Sequence, residues 1–148
     1  MWELLGHGNG KVSFVKTLSP CVCDEVIAWH VVHGWVWDVY DRRSPIGVFY
    51  CTVLCGSGAI CHFSTIPGVG IPASVILAAF RKGVRMVAPY CPVLYASIPE
   101  AREKLIRVAV RLGFGIVADG GFVLDGDKMV LLKYYGRGKG ILNTDKHG

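Results

Sequence analysis

The sequence predicts an α/β (α+β) fold, with strands and helices in the order β-α-β-β-β-α-β-α-β-β. Three observations predict it. Apolar residues make up 52% of the 148 and charged residues only 18%, a balance that buries a core and excludes a disordered chain. Stretches of strand-like alternation or β-rich composition are interleaved with stretches of helical periodicity. Short connectors rich in Gly, Pro, Asp and Ser separate them. The length suits one domain, expected over 1–135, with 136–148 (GRGKGILNTDKHG) as a basic, glycine-rich C-terminal tail.

Lys11–Thr17 (KVSFVKT) alternates polar and apolar residues behind the turn-forming Gly8-Asn9-Gly10, a half-buried strand. Ser19-Pro20 supplies an N-cap and an N1 proline, and Asp24-Glu25 suits a helix start, so a helix is expected from there to His33 with Gly34 at C′. Trp35–Tyr40, Gly47–Leu54 and Ala59–Thr65 are β-like runs. Their connectors, 41–45 and 55–58, are short enough that consecutive antiparallel pairing is the economical solution, a β-meander. Pro67-Gly68-Val69-Gly70-Ile71-Pro72 then leads into a helix over Ala73–Lys82, stopped by Gly83.

Val93–Ser97 is a short strand, and Pro99 is expected to open a helix to Leu112. Ala101, Leu105, Val108, Ala109 and Leu112 fall on one side of that helix, whereas Glu100, Arg102, Glu103, Lys104, Arg107 and Arg111 take the wet positions. Gly113-Phe114 reads as a left-handed stop with an apolar residue behind it. Gly115–Ala118 and Met129–Tyr135 are expected to close a hairpin around Asp125-Gly126-Asp127.

Composition narrows the function classes. Lys+Arg 16 against Asp+Glu 11 gives a formal charge of +5, which favours anionic partners. Ser44–Phe80 carries no Asp, Glu, Lys or Arg, but its prolines and glycines leave pieces shorter than the ~20 apolar residues of a spanning helix, so no membrane association is expected. The N-terminus has neither a basic n-region nor a long apolar h-region, and a cytoplasmic, reducing location is the expectation.

The six cysteines (21, 23, 51, 55, 61 and 91) are accordingly expected as free thiols. Cys51 and Cys55 would lie ~13 Å apart along a strand, unlike a zinc knuckle, and no metal is expected. His30 and His33 share a helix face, but two ligands make no metal site. Trp29, Trp35 and Trp37, with Arg42-Arg43 and Arg81-Lys82, could suggest base stacking. Aromatics at such spacings more often fill a core, and no nucleic-acid-binding motif accompanies them.

The chemistry-bearing feature is the strand Ala59–Thr65, the loop Gly68-Val69-Gly70 and the helix from Ala73. Unpaired N–H groups and the helix dipole converge at such a junction, which suits an anion, although an ordinary strand-to-helix turn has the same outline.

With this element order, the chain resembles the GNAT superfamily of N-acetyltransferases from Lys11 to about Tyr135. The resemblance rests on the meander with Pro45-Ile46-Gly47, the strand ending Phe63-Ser64-Thr65, Gly68-Val69-Gly70, and Ile98-Pro99-Glu100 through Leu112-Gly113-Phe114. It implies a mixed, mostly antiparallel central sheet flanked by helices and splayed between its fourth and fifth strands, with the pantetheine arm of acetyl-CoA, the cosubstrate, along Phe63, Ser64 and Thr65. The pyrophosphate would sit on the N–H groups of Gly68, Val69, Gly70, Ile71 and Ala73. A primary amine, otherwise unspecified, would accept the acetyl group.

Three positions differ from the family pattern. Thr65 stands three before Gly68, where the family usually has Arg or Gln. Ala109 stands where a tyrosine acid is frequent, and Arg102 where an asparagine is often found. Replacements can be named: Arg102 for a phosphate contact, unless it is simply solvated; Tyr95 or Ser97 as the acid for the thiolate; and His62 as the base, if strand alternation turns it away from the core. The alternative is a non-catalytic GNAT-like interaction protein, similar to products of the virion and head-assembly genes of tailed phages, located in host cytoplasm or virion. GNAT folds commonly pair, so a homodimer or an assembly partner is a further expectation.

Overall fold

The computed structural model describes residues 11–54, 58–124 and 126–136. The Gly8-Asn9-Gly10 turn, Cys55, Asp125 and the tail beyond Gly136 lie outside the described residues. The chain divides into two compact units, Met1–Pro92 and Val93–Gly148.

The first unit contains β1 (Val12–Lys16), α1 (Glu25–His33), β2 (Trp35–Asp41), β3 (Ser44–Leu54), β4 (Gly58–Thr65) and α2 (Ala73–Val87), followed by a 3₁₀ turn over Ala88–Tyr90. Its four strands pair consecutively and antiparallel, as the short connectors predict. Phe14 faces Val39, Trp37 faces Phe49, and Phe49 faces Phe63. Period-two alternation gives this sheet two apolar sides. On one, Phe49 meets Phe14, Trp37 and Phe80 of α2 edge-on or tilted, at centroid distances of 5.6, 6.0 and 6.1 Å. On the other, Val36, Val48 and Tyr50 cluster with Ile27 of α1.

Two helix boundaries differ from expectation. α1 starts at Glu25 rather than after Pro20, because the Asp24 carboxylate accepts the Ile27 N–H at 2.8 Å and thereby caps the helix. Cys21 instead gives its N–H to Asp38 on β2 at 2.8 Å. α2 runs through Gly83 to Val87. Gly83 is there for close approach, not termination: a Cβ on it would stand 2.7–2.8 Å from three carbons of the Phe49 ring. Gly34 does end α1, but its φ of −138° is extended backbone, and what excludes a side chain is the Cys51 carbonyl.

The second unit holds β5 (Val93–Pro99), α3 (Glu103–Arg111), β6 (Phe114–Leu124) and β7 (Asp127–Tyr134), with β7 between β5 and β6 and antiparallel to both. The final hairpin is present, with strands longer than expected. Pro99 closes β5 opposite Met129 instead of opening the helix, which begins four residues later. Ala101 consequently lies on the exposed turn and drops out of the expected buried face, of which Ala109 and Leu112 are buried and Leu105 and Val108 half-buried. Gly113 terminates α3 with φ +112°, in the region that favours glycine, and Phe114 behind it is buried.

Trp37 is buried as expected of a core aromatic, but Trp29 is 49% exposed and stacks on His33 with centroids 4.4 Å apart. Cys21, Cys23, Cys51, Cys61 and Cys91 are free thiols. No helix among the described residues is long and apolar enough to cross a membrane.

Candidate functional site

Beyond β4 the chain turns sharply. The Ile66 N–H donates to the Ile46 carbonyl at 3.0 Å, and the Val69 N–H to the Ile66 carbonyl at 3.4 Å. Pro67 takes the second position of this turn and Gly68, with φ +80°, the third, the type II pattern that proline and glycine favour. A Cβ on Gly70 would have nothing within 4 Å. Gly47 of the Pro45-Ile46-Gly47 stretch lets β3 approach β4 here, because a Cβ on it would run into the Ser64 carbonyl.

Pro72 is the N-cap of α2 and has no side-chain cap to offer; its carbonyl accepts from Val75 and Ile76 at 3.0 and 3.2 Å. Ala73 and Ser74 are exposed, and the first turn carries no acidic residue. The first turn therefore sets no carboxylate against the positive end of the helix dipole, and the N–H groups of Ala73 and Ser74 have no backbone acceptor among the described residues. Of the backbone donors expected to bind an anion, Val69 is used by the turn, while Gly68, Gly70, Ile71 and Ala73 donate to no backbone carbonyl among the described residues. Phe63, Ser64 and Thr65 lie opposite Phe49, Val48 and Gly47, the first two half-buried and Thr65 exposed.

His62 stands opposite Tyr50, so alternation turns it to the α1 side of the sheet, away from the Phe49 core. Its ring stacks on Tyr50 at 4.8 Å and 21°, and its Nε2 lies 3.0 Å from Thr52 Oγ1. Thr52 Oγ1 is also 2.6 Å from Nε2 of His30, whose Nδ1 is 2.7 Å from the Val26 carbonyl. Burial, and secondarily the charge His30 can carry, push the His62 pKa down to about 4, which leaves a neutral ring with a free lone pair at neutral pH. Burial pushes the Tyr50 phenol up, Asp24 adds to that effect, and a hydrogen bond with Ser64 opposes it.

His30, Thr52 and Tyr50 were not singled out as parts of a site by sequence reasoning. The available signal was modest: His30 lies four residues after Val26 on a helix, and Thr52 has the same parity as Tyr50 on a strand.

In the second unit, Tyr95 and Ser97 lie on the half-buried face of β5, opposite Lys133 and Leu131, while Leu94, Ala96 and Ile98 fill the other face. Ser97 Oγ is shut off from solvent with no hydrogen-bond partner among the described residues. Arg102 is exposed and precedes α3, its carbonyl accepting the Ile106 N–H at 3.1 Å. Ala109 is 2% exposed, so its position serves packing. Pro99, Glu100, Ala101, Glu103, Asp127 and Lys128 line an open depression of about 500 Å³, which includes none of the expected site residues. Among the described residues no three His, Cys, Asp or Glu side chains are placed to hold a metal ion.

No protein-family model and no curated protein matches the sequence. Solved structures do. The chain is similar to the IAA acetyltransferase from Bacillus cereus ATCC 14579, with TM-score 0.65 and 14% identity over 83% of this chain and 98% of that one. A GNAT family acetyltransferase from Elizabethkingia anophelis with acetyl-CoA bound gives TM-score 0.66 and 12% identity over 84% and 97%. The ribosomal-protein-S5-alanine acetyltransferase from Vibrio fischeri gives 0.57 and 14% over 77% and 68%.

Proposed function

We propose that this chain, which has the GNAT acetyltransferase fold, binds acetyl-CoA and transfers its acetyl group to a primary amine. The observation that carries this reading is the uncapped start of α2 behind the Gly68 turn, an anion cradle on a fold whose solved examples include an acetyl-CoA complex. The N–H groups of Gly68, Gly70, Ile71 and Ala73 would hold the pyrophosphate. Thr65 offers that phosphate only a short hydroxyl, so binding is expected to be weaker than an arginine there would give.

His62 is the base of this reading, and its low pKa defines how it acts. So weak a base does not strip an ammonium ion in solution. It takes the proton that the nitrogen sheds as the N–C bond forms, when the acidity of that nitrogen rises steeply. The C–S bond breaks in the same transfer, and the departing thiolate needs a proton, the role assigned to Tyr95 or Ser97. The rate should therefore climb with pH as the free amine is released and should show no inflection near pH 6.5, where an ordinary histidine titrates.

The test is thiol release from acetyl-CoA with a panel of primary amines, polyamines and peptide N-termini, on the wild type, His62→Ala, Tyr95→Phe and Ser97→Ala. Amine-dependent release that is lost in His62→Ala supports the reading. Release by none of the amines overturns the transferase reading.

A further inference from the structure

We propose that Thr52 and His30 are positioning residues for His62: one hydrogen-bonded chain holds its imidazole in the Nε2–H tautomer and leaves Nδ1 as the atom that takes the substrate proton. The inference rests on the reading of His62 as the base, and it follows from counting protons along the chain. A carbonyl oxygen only accepts, so the His30 nitrogen 2.7 Å from Val26 O, Nδ1, carries a hydrogen. With that ring neutral, its lone pair is on Nε2, which accepts a hydrogen bond from the Thr52 hydroxyl at 2.6 Å. That spends the only hydrogen on Thr52, whose oxygen must accept at 3.0 Å from Nε2–H of His62. The remaining lone pair of His62 lies on Nδ1, which none of the described residues bonds.

Packing holds the three groups in place. His30 is 5% exposed, wedged between α1 and the sheet, with Tyr50 edge-on at 4.8 Å and His62 at 5.8 Å. Tyr50 in turn stacks on His62, so the ring that would take the proton is held from its face as well as its edge. The chain is anchored at a main-chain carbonyl of α1 and reaches across two adjacent strands, which ties the tautomer of His62 to the seating of that helix. The ionisable groups near it are Tyr50 and His62 from the sheet and Asp24 and His33 on α1 itself. Asp38, on the same side of β2, is engaged by the Cys21 N–H.

The test is two-bond ¹H–¹⁵N correlation of the histidine rings at neutral pH in the wild type, Thr52→Val and Thr52→Ser, with His62→Gln to assign the signal. The wild type should show His62 as the Nε2–H tautomer; Thr52→Val should mix the two forms, and Thr52→Ser should restore the first. A wild-type His62 in the Nδ1–H form, or an unchanged tautomer in a folded Thr52→Val, overturns the proposal. Kinetics separate this from the base reading. Where His62→Ala loses acetyl transfer, Thr52→Val should lower kcat by about 10- to 100-fold, part of what a general base supplies, with KM for acetyl-CoA unchanged and kcat recovered in Thr52→Ser. Full kcat in Thr52→Val alongside an inactive His62→Ala would overturn the positioning role, whereas full activity in His62→Ala would overturn the base reading and leave the tautomer result standing.

Discussion

Replacing Gly83 with alanine probes how α2 is seated on the sheet. On an exposed helix the change stabilises by about 1 kcal/mol, because glycine loses more backbone freedom than alanine on folding. Here the new methyl group would arrive 2.7–2.8 Å from Cδ1, Cε1 and Cζ of Phe49. That ring is fully buried and is held on other sides by Phe14, Trp37 and Phe80, so it has no direction in which to retreat. Forcing a methylene-sized group into such packing costs about 1–3 kcal/mol. Overpacking should therefore cancel or outweigh propensity, for a net loss of up to about 2 kcal/mol. Urea unfolding followed by circular dichroism reads this as a lower midpoint at unchanged slope. The double variant Gly83→Ala/Phe49→Leu, which makes room for the methyl group, should lose less than the two single losses added together. A more stable Gly83→Ala would refute the reasoning and show that α2 stands further from the Phe49 ring.

On α3, Leu105→Ala should cost about 1–3 kcal/mol, less than a fully buried leucine because the side chain is half-buried, whereas the exposed Arg107→Ala should stay within about 0.5 kcal/mol; equal shifts in denaturant melts would reverse the assigned faces. Because the folded His62 pKa of about 4 lies below the unfolded value of 6.5, the unfolded chain binds the extra proton first, so this contribution is complete above pH 6.5 and is lost as pH falls to about 4. It should amount to about 2 kcal/mol after allowance for partial exposure, and His62→Gln should flatten this part of the stability–pH curve; a wild type insensitive across that window would contradict it. Denaturing, non-reducing alkylation of fresh protein should label all six cysteines, and fewer labels, restored by reductant, would count against free thiols.

Element order, the consecutive pairing in the meander and the final hairpin were legible because they follow from local signals: alternation in β1, β-like runs over β2–β4, short polar connectors, and the Gly113-Phe114 stop. The errors fall where tertiary packing, or a competing local cap, overrides those signals. Gly83 looks like punctuation until Phe49 is seen against it. Ser19-Pro20 is a reasonable helix start, but the Asp24 carboxylate captures the Ile27 N–H and Cys21 is drawn off to Asp38. Pro99 suits a first helical turn, yet it pairs at the end of β5 opposite Met129.

The candidate site divides in the same way. The Gly68–Gly70 loop can be read locally because proline and glycine occupy the turn positions that demand them. The side to which His62 points, and its link through Thr52 to His30, depend on strand register and on the placement of α1, which no local pattern carries.

Calorimetric titration of CoA into the wild type, Thr65→Arg and Gly70→Glu tests the central claim most directly, because it needs no knowledge of the acceptor. The space around Gly70 lets Gly70→Glu fold, so loss of binding there would report on the cradle itself. Wild-type binding is predicted, tightened in Thr65→Arg by about 1.5–3 kcal/mol from one charge-assisted contact and abolished in Gly70→Glu by a carboxylate where phosphate must approach backbone. A folded wild type that takes up no CoA at millimolar concentration would contradict the account and leave a GNAT fold without its cosubstrate.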